Sequence, residues 1–209
     1  MTRIKVCGIT NLEDALAAVE AGADVLGFNF YARSPRHVTP EAARRVIKSL
    51  PEGVMCVGVF VNASTPEEVE RVAREARVGA VQLHGDETPE FCLALRDLTT
   101  IKALRVGPGY KPEAAARYPT EAVLLDAYVA GEWGGTGHTF DWSLARRTRE
   151  AVPRLFLAGG LRPDNVAEAA AAVRPYAVDV CSGVETSPGR KSFELMRRFV
   201  ERVREADQK

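Results

Sequence analysis

The sequence predicts an α/β protein folded as a (β/α)8 barrel, and three observations carry that prediction. Eight short apolar or β-branched runs recur along the chain, helical segments with start signals lie between them, and no composition break interrupts the alternation. Spread over 209 residues, the repeating unit averages about 26 residues, at the compact end for this fold. One domain over 1–209, without a linker, is expected.

The eight runs are IKVCG, VLGFNF from Val25, CVGVFV from Cys56, AVQLHG from Ala80, IKALRV from Ile101, AVLLDA from Ala122, LFLAGG from Leu155 and AVDVCSG from Ala177. Near-continuous rather than alternating apolar strands belong to a parallel sheet covered by helices. The first helix is predicted over LEDALAAVEAG, with Thr10 and Glu13 as a capping box and Gly22 as its stop. Three more begin with Thr-Pro-Glu, at Thr39, Thr65 and Thr88. Each start supplies a capping hydroxyl, a proline at the first helical position and an acid at the positive end of the dipole. The later helices are read from KPEAAARY, DWSLARRTREA, RPDNVAEAAAAV and SFELMRRFVERVREA, the last capped by Ser192. A doubly wound open sheet would call for G-x-G-x-x-G after a strand, and the sequence has none.

Lys+Arg and Asp+Glu both number 28, so the formal charge is zero and no basic footprint for nucleic acid or anionic lipid exists. Any anion must be bound locally. No apolar run approaches the roughly 18 residues of a membrane span, and MTRIKV carries no apolar leader, so a cytoplasmic location without a membrane partner is expected. The four cysteines form no CxxC pair and are read as reduced thiols. No two histidines have metal-ligand spacing, so no catalytic metal is expected.

In a barrel of this kind the chemistry lies at the C-terminal ends of the strands. On the first strand Lys5 and Cys7 share a face, so Cys7 ends the strand pointing into the mouth with a cation two residues below. A nearby ammonium favours the thiolate, a usable base or nucleophile near neutral pH. A small buried hydrophobe is an equally common role for a free cysteine. Strand six places Asp126 at the same rim, where partial desolvation can make a carboxyl a general acid; a lone acid there more often caps the following loop. The loop after it, YVAGEWGGTGHTFDW, is glycine-rich enough to fold over a ligand or to be a plain connection, and Gly135 is its candidate contact.

Strands seven and eight end in LAGGL and CSGVE, and backbone N–H groups around Gly159, Gly160, Ser182 and Gly183 are candidate phosphate donors. Asp179, two residues before Cys181 on strand eight, is a candidate substrate contact. In the loop after strand two, SPR presents Arg36 as a planar fork for a carboxylate, although a loop arginine is more often a solvated charge. His84, in QLHGDE, either touches substrate or satisfies loop carbonyls.

Taken together, KVCGIT, SPRHVTP, VGVFVN, QLHGDE, LLDA followed by GGTGHTFDW, LAGGL and DVCSGVETSPGRK resemble the phosphoribosylanthranilate isomerases of tryptophan biosynthesis. The motifs span nearly the whole chain in the expected order. The resemblance implies a cofactor-free Amadori rearrangement of N-(5-phosphoribosyl)anthranilate to 1-(2-carboxyphenylamino)-1-deoxyribulose 5-phosphate. It implies Asp126 as general acid, Cys7 as base, Arg36 on the anthranilate carboxylate and the last two turns on the phosphate. The partner is then a small phosphosugar; some such barrels pair into homodimers through apolar loop ends, but no apolar patch marks one here. In two places the chain departs from the family pattern: Cys181 stands where serine is commoner, and Ser192 where an acid often follows GRK. The related barrel isomerase of histidine biosynthesis, the competing reading, uses an aspartate where this chain has Cys7 and carries two phosphate sites. A non-catalytic phosphosugar-binding barrel would leave the Cys7 and Asp126 pair unexplained.

Overall fold

A computed structural model of the chain describes residues 1–127 and 140–208. Its eight-stranded parallel barrel is built from β1 (Arg3–Cys7), β2 (Val25–Asn29), β3 (Met55–Phe60), β4 (Ala80–Leu83), β5 (Thr99–Val106), β6 (Ala122–Ala127), β7 (Leu155–Leu157) and β8 (Ala177–Val180). The strands pair in chain order, and β8 returns to β1 with Lys5 opposite Asp179 and Val6 opposite Val180, which closes the ring. The helices α1 (Leu12–Ala21), α2 (Pro40–Ile47), α3 (Pro66–Ala76), α4 (Pro89–Ala94), α5 (Trp142–Ala151), α6 (Val166–Val173) and α7 (Phe193–Asp207) lie between and after them. Among the described residues no helix is long and apolar enough to cross a membrane.

Strand periodicity sorts the apolar residues into two layers. Val25, Val57, Ile101, Leu124 and Phe156 fill the barrel interior. Their strand neighbours, among them Ile4, Val6, Leu26, Val123 and Val178, face outward into a layer shared with Val166, Phe199 and Val203 of the helices. Each such large side chain, fully buried, contributes roughly 1.5–3 kcal/mol.

All three Thr-Pro-Glu starts cap their helices: the hydroxyls of Thr39, Thr65 and Thr88 accept from the N–H groups of Ala42, Glu68 and Phe91. Ser192 likewise accepts from Leu195, and Gly22 ends α1 at φ +104°. The capping box expected at Thr10 and Glu13 is not what forms. Asn11 is the N-cap of α1, its side-chain oxygen accepting from Asp14 at 2.8 Å. Thr10 is drawn elsewhere, donating its hydroxyl to the Gly189 carbonyl at 2.7 Å. The segment KPEAAARY forms only a 3₁₀ turn, Pro112–Arg117, with no side-chain cap at its start. After β8 the chain adds a 3₁₀ turn, Ser182–Val184, and a hairpin of β9 (Glu185–Ser187) and β10 (Arg190–Lys191) that the apolar pattern does not announce.

The chain ends are clasped at the N-terminal face of the barrel. Asp207 accepts from the Thr2 N–H at 2.8 Å and from its hydroxyl at 2.6 Å, and Arg204 donates to the Thr2 carbonyl at 2.6 Å.

Candidate active site

The inward faces of β1, β4, β6 and β8 converge on one cleft at the C-terminal ends of the strands. Cys7, Gln82, His84, Asp126, Asp179 and Cys181 line it, together with Arg36 and the turn residues Gly159, Gly160, Ser182 and Gly183. With its open mouth included the cleft spans about 660 Å³. Every candidate named from the sequence is thus in one place except Gly135, which lies outside the described residues.

Cys7 is partly exposed in this cleft. A hydrogen bond with Cys181, joined by the ammonium charges of Lys5 and Lys191, holds its thiol well below the ordinary range against the opposing effect of burial. The Cys181 thiol is pushed the other way, up, by the same contact and by burial. Below them, Lys5 is fully buried and pairs with Asp179 at 2.9 Å. Burial works against the Lys5 charge, but Asp179 and Cys7 outweigh it and its pKa is raised. Because Lys5 serves two anions, Asp179 is incompletely compensated: burial pushes its carboxyl up to about 7.

Asp126 is buried at the end of β6. Its Oδ1 accepts from the Ala127 N–H at 2.9 Å, and its Oδ2 lies 3.2 Å from His84 Nε2. The other ring nitrogen, Nδ1, is 2.8 Å from the Gln82 amide nitrogen. An amide nitrogen can only donate, so Nδ1 accepts, and in the neutral ring Nε2–H donates to Asp126. His84 therefore orients the acid as well as lining the cleft.

Arg36 is held from two sides. Its N–H donates to the Ser34 hydroxyl at 3.1 Å, as a Ser-Pro turn would arrange. Its Nε and Nη2 grip both carboxylate oxygens of Glu185, at 2.6–3.1 Å. Burial alone would raise the Glu185 carboxyl, but Arg36 and Lys191, 2.8 Å away, bring it below its usual value. The fork expected from the sequence thus has one edge taken, and among the described residues Nη1 and the second proton of Nη2 have no acceptor.

The two terminal turns bring bare backbone to the cleft. Gly159 and Gly160 have φ of +84° and +61°, the left-handed region that favours glycine. A side chain at Gly183 would collide with the Leu161 carbonyl oxygen. Among the described residues the N–H groups of Gly159, Gly160, Ser182 and Gly183 have no acceptor, so they form a concave set of donors without a cationic side chain. No cluster of three or more potential metal ligands occurs among the described residues.

Sequence reasoning passed over Glu185, Lys191 and Gln82. Gln82 was within its reach, two residues before His84 on the same face of β4. Glu185 and Lys191 belong to the unannounced hairpin, and nothing short of the folded register brings them to Arg36 and Cys181.

The family model described as N-(5'phosphoribosyl)anthranilate (PRA) isomerase matches residues 4–202. A Trichlorobacter lovleyi protein named N-(5'-phosphoribosyl)anthranilate isomerase is 52% identical over 206 residues, 99% of this chain and 100% of its own length. Its namesake from Thermotoga neapolitana is 49% identical over 205 residues, 98% of this chain and 99% of its own. The solved phosphoribosyl anthranilate isomerase of Thermotoga maritima superposes with a TM-score of 0.91 at 45% identity, over 98% of this chain and 100% of that one. A phosphoribosyl anthranilate isomerase in complex with reduced 1-(o-carboxyphenylamino)-1-deoxyribulose 5-phosphate superposes at 0.88 with 44% identity, over the same shares of the two chains.

Proposed function

Because the chain belongs to the N-(5'-phosphoribosyl)anthranilate isomerase family, and so isomerises phosphoribosylanthranilate in tryptophan biosynthesis, we propose that Asp126 is its general acid and Cys7 its base. The observation that carries the assignment is the pair itself. A thiol held well below its ordinary range and a carboxyl oriented by His84 line the same cleft.

Asp126 protonates the ribose ring oxygen, the C1–O bond breaks, and the anthranilate nitrogen lone pair closes a C=N iminium. The Cys7 thiolate then takes the proton from C2, and the bonding pair moves into C1=C2 to give an enolamine. Tautomerisation, with loss of the enol proton and protonation at C1, delivers the ketone. Lys5 sits beneath Cys7 and favours the anionic base, and Asp179 keeps Lys5 charged and in position. The open edge of Arg36 takes the anthranilate carboxylate. The amides of Gly159, Gly160, Ser182 and Gly183 take the phosphate. A cytoplasmic location goes with this reading.

The test follows the loss of anthranilate fluorescence when purified protein meets phosphoribosylanthranilate. Rapid decay is expected from the native chain. Cys7→Ala and Asp126→Asn should each lose about 10²–10⁴-fold in kcat, the usual share of one acid or base, with unchanged circular dichroism. A folded Cys7→Ala protein that still turns over at the native rate refutes the base assignment.

A further inference from the structure

We infer that Cys7 and Cys181 form an oxidisable dithiol on the wall of the cleft, which a hydroperoxide converts into a disulfide. The parallel register of β1 and β8 pairs Lys5 with Asp179 and Val6 with Val180, and Cys7 and Cys181 are the residues that directly follow the last pair. Neighbouring strands lie about 4.7–4.9 Å apart, inside the Cα separation of about 4.4–6.8 Å that a disulfide spans. Both residues line the cleft, and both are partly exposed and unlinked. Lys191 Nζ stands 3.8 Å from Cys181 Sγ.

These contacts order the chemistry. The Cys7 thiolate attacks the peroxide, the O–O bond breaks, and Cys7 becomes a sulfenic acid while hydroxide leaves and is protonated by solvent. Cys7 is then neutral, so the repulsion that pushed the Cys181 thiol up is gone, and Lys191 favours its thiolate. Cys181 attacks the Cys7 sulfur, the S–S bond forms, and the hydroxyl departs as water with the Cys181 proton. Two thiols have lost two electrons and the peroxide has taken them. Cys56 and Cys92 are buried in the outer layer, with thiols pushed up to about 11 by burial, and do not compete.

The linkage itself is independent of the reaction assigned above; that it also stops turnover rests on Cys7 as base. The ligand-free chain is treated with hydrogen peroxide, quenched with a thiol-alkylating reagent, digested, and its peptides weighed. The expected result is a Cys7 peptide joined to a Cys181 peptide, alkylated Cys56 and Cys92, activity lost in proportion to the linked fraction, and recovery of both with a dithiol reductant. In Cys181→Ser, Cys7 should instead advance to the sulfinic acid, which the reductant does not reverse. Native protein whose Cys7 is oxidised without linkage, or not oxidised faster than Cys56, overturns the proposal. Linked protein that still turns over would uphold the disulfide and refute Cys7 as base.

Discussion

Lys5 is a single buried ammonium shared by a carboxylate and a thiolate, and it adds to the effect of Cys181 on the titration of the base. The base must be unprotonated, so kcat/KM falls as pH drops through the Cys7 pKa; a depressed pKa carries activity to lower pH. Since the hydrogen bond from Cys181 is the largest contribution to that depression, Cys181→Ala should move the acid limb of the kcat/KM profile upward. Cys181→Ser, which retains a donor, should move it less. Coincident limbs in all three proteins would show that the contact does not tune the base. At this scale the sequence was legible wherever one strand sufficed. The period of two put Lys5 under Cys7 and would have put Gln82 beside His84. It could not put Asp179 beside Lys5 or Cys181 beside Cys7, because those pairs depend on how far β8 slides along β1.

The elements divide in the same way. Thr39, Thr65 and Thr88 act within a few residues of themselves, so the local pattern Thr-Pro-Glu located three helix starts correctly. Thr10 presents nearly the same chemistry, yet its hydroxyl goes to Gly189, 179 residues along the chain. The β9–β10 hairpin is too short to show periodicity, but it carries Glu185 to Arg36 and Lys191 to Cys181. A guanidinium gripped along one edge presents its other edge without losing side-chain freedom on binding. Glu185→Ala should therefore raise KM about tenfold, equivalent to roughly 1.4 kcal/mol of binding, and leave kcat nearly unchanged. Steady-state kinetics decide this: an unchanged KM would make the hairpin contact structural only.

Across the whole molecule, the eight strands were readable because a parallel barrel buries both faces of each strand and leaves near-continuous apolar runs. The closure of β8 onto β1 was not written in any one unit, and neither was the clasp of Asp207 on Thr2 that accompanies it. Burial alone would raise the Asp207 carboxyl, but the hydrogen bonds from Thr2 bring it below its usual value. A depressed carboxyl stabilises the fold above its unfolded pKa and loses that contribution as pH falls through the folded one. Asp207→Ala should cost about 2 kcal/mol at neutral pH, measured by urea denaturation, and the deficit should shrink below about pH 4. A deficit equally large at pH 3 would contradict the clasp as its source. The same clasp sets the start of β1 beside the end of α7, on the side of the barrel away from the cleft. A short peptide running from α7 into β1, with a new cut in another loop on that side, would permute the order of the strands along the chain while leaving each beside the neighbours it now has.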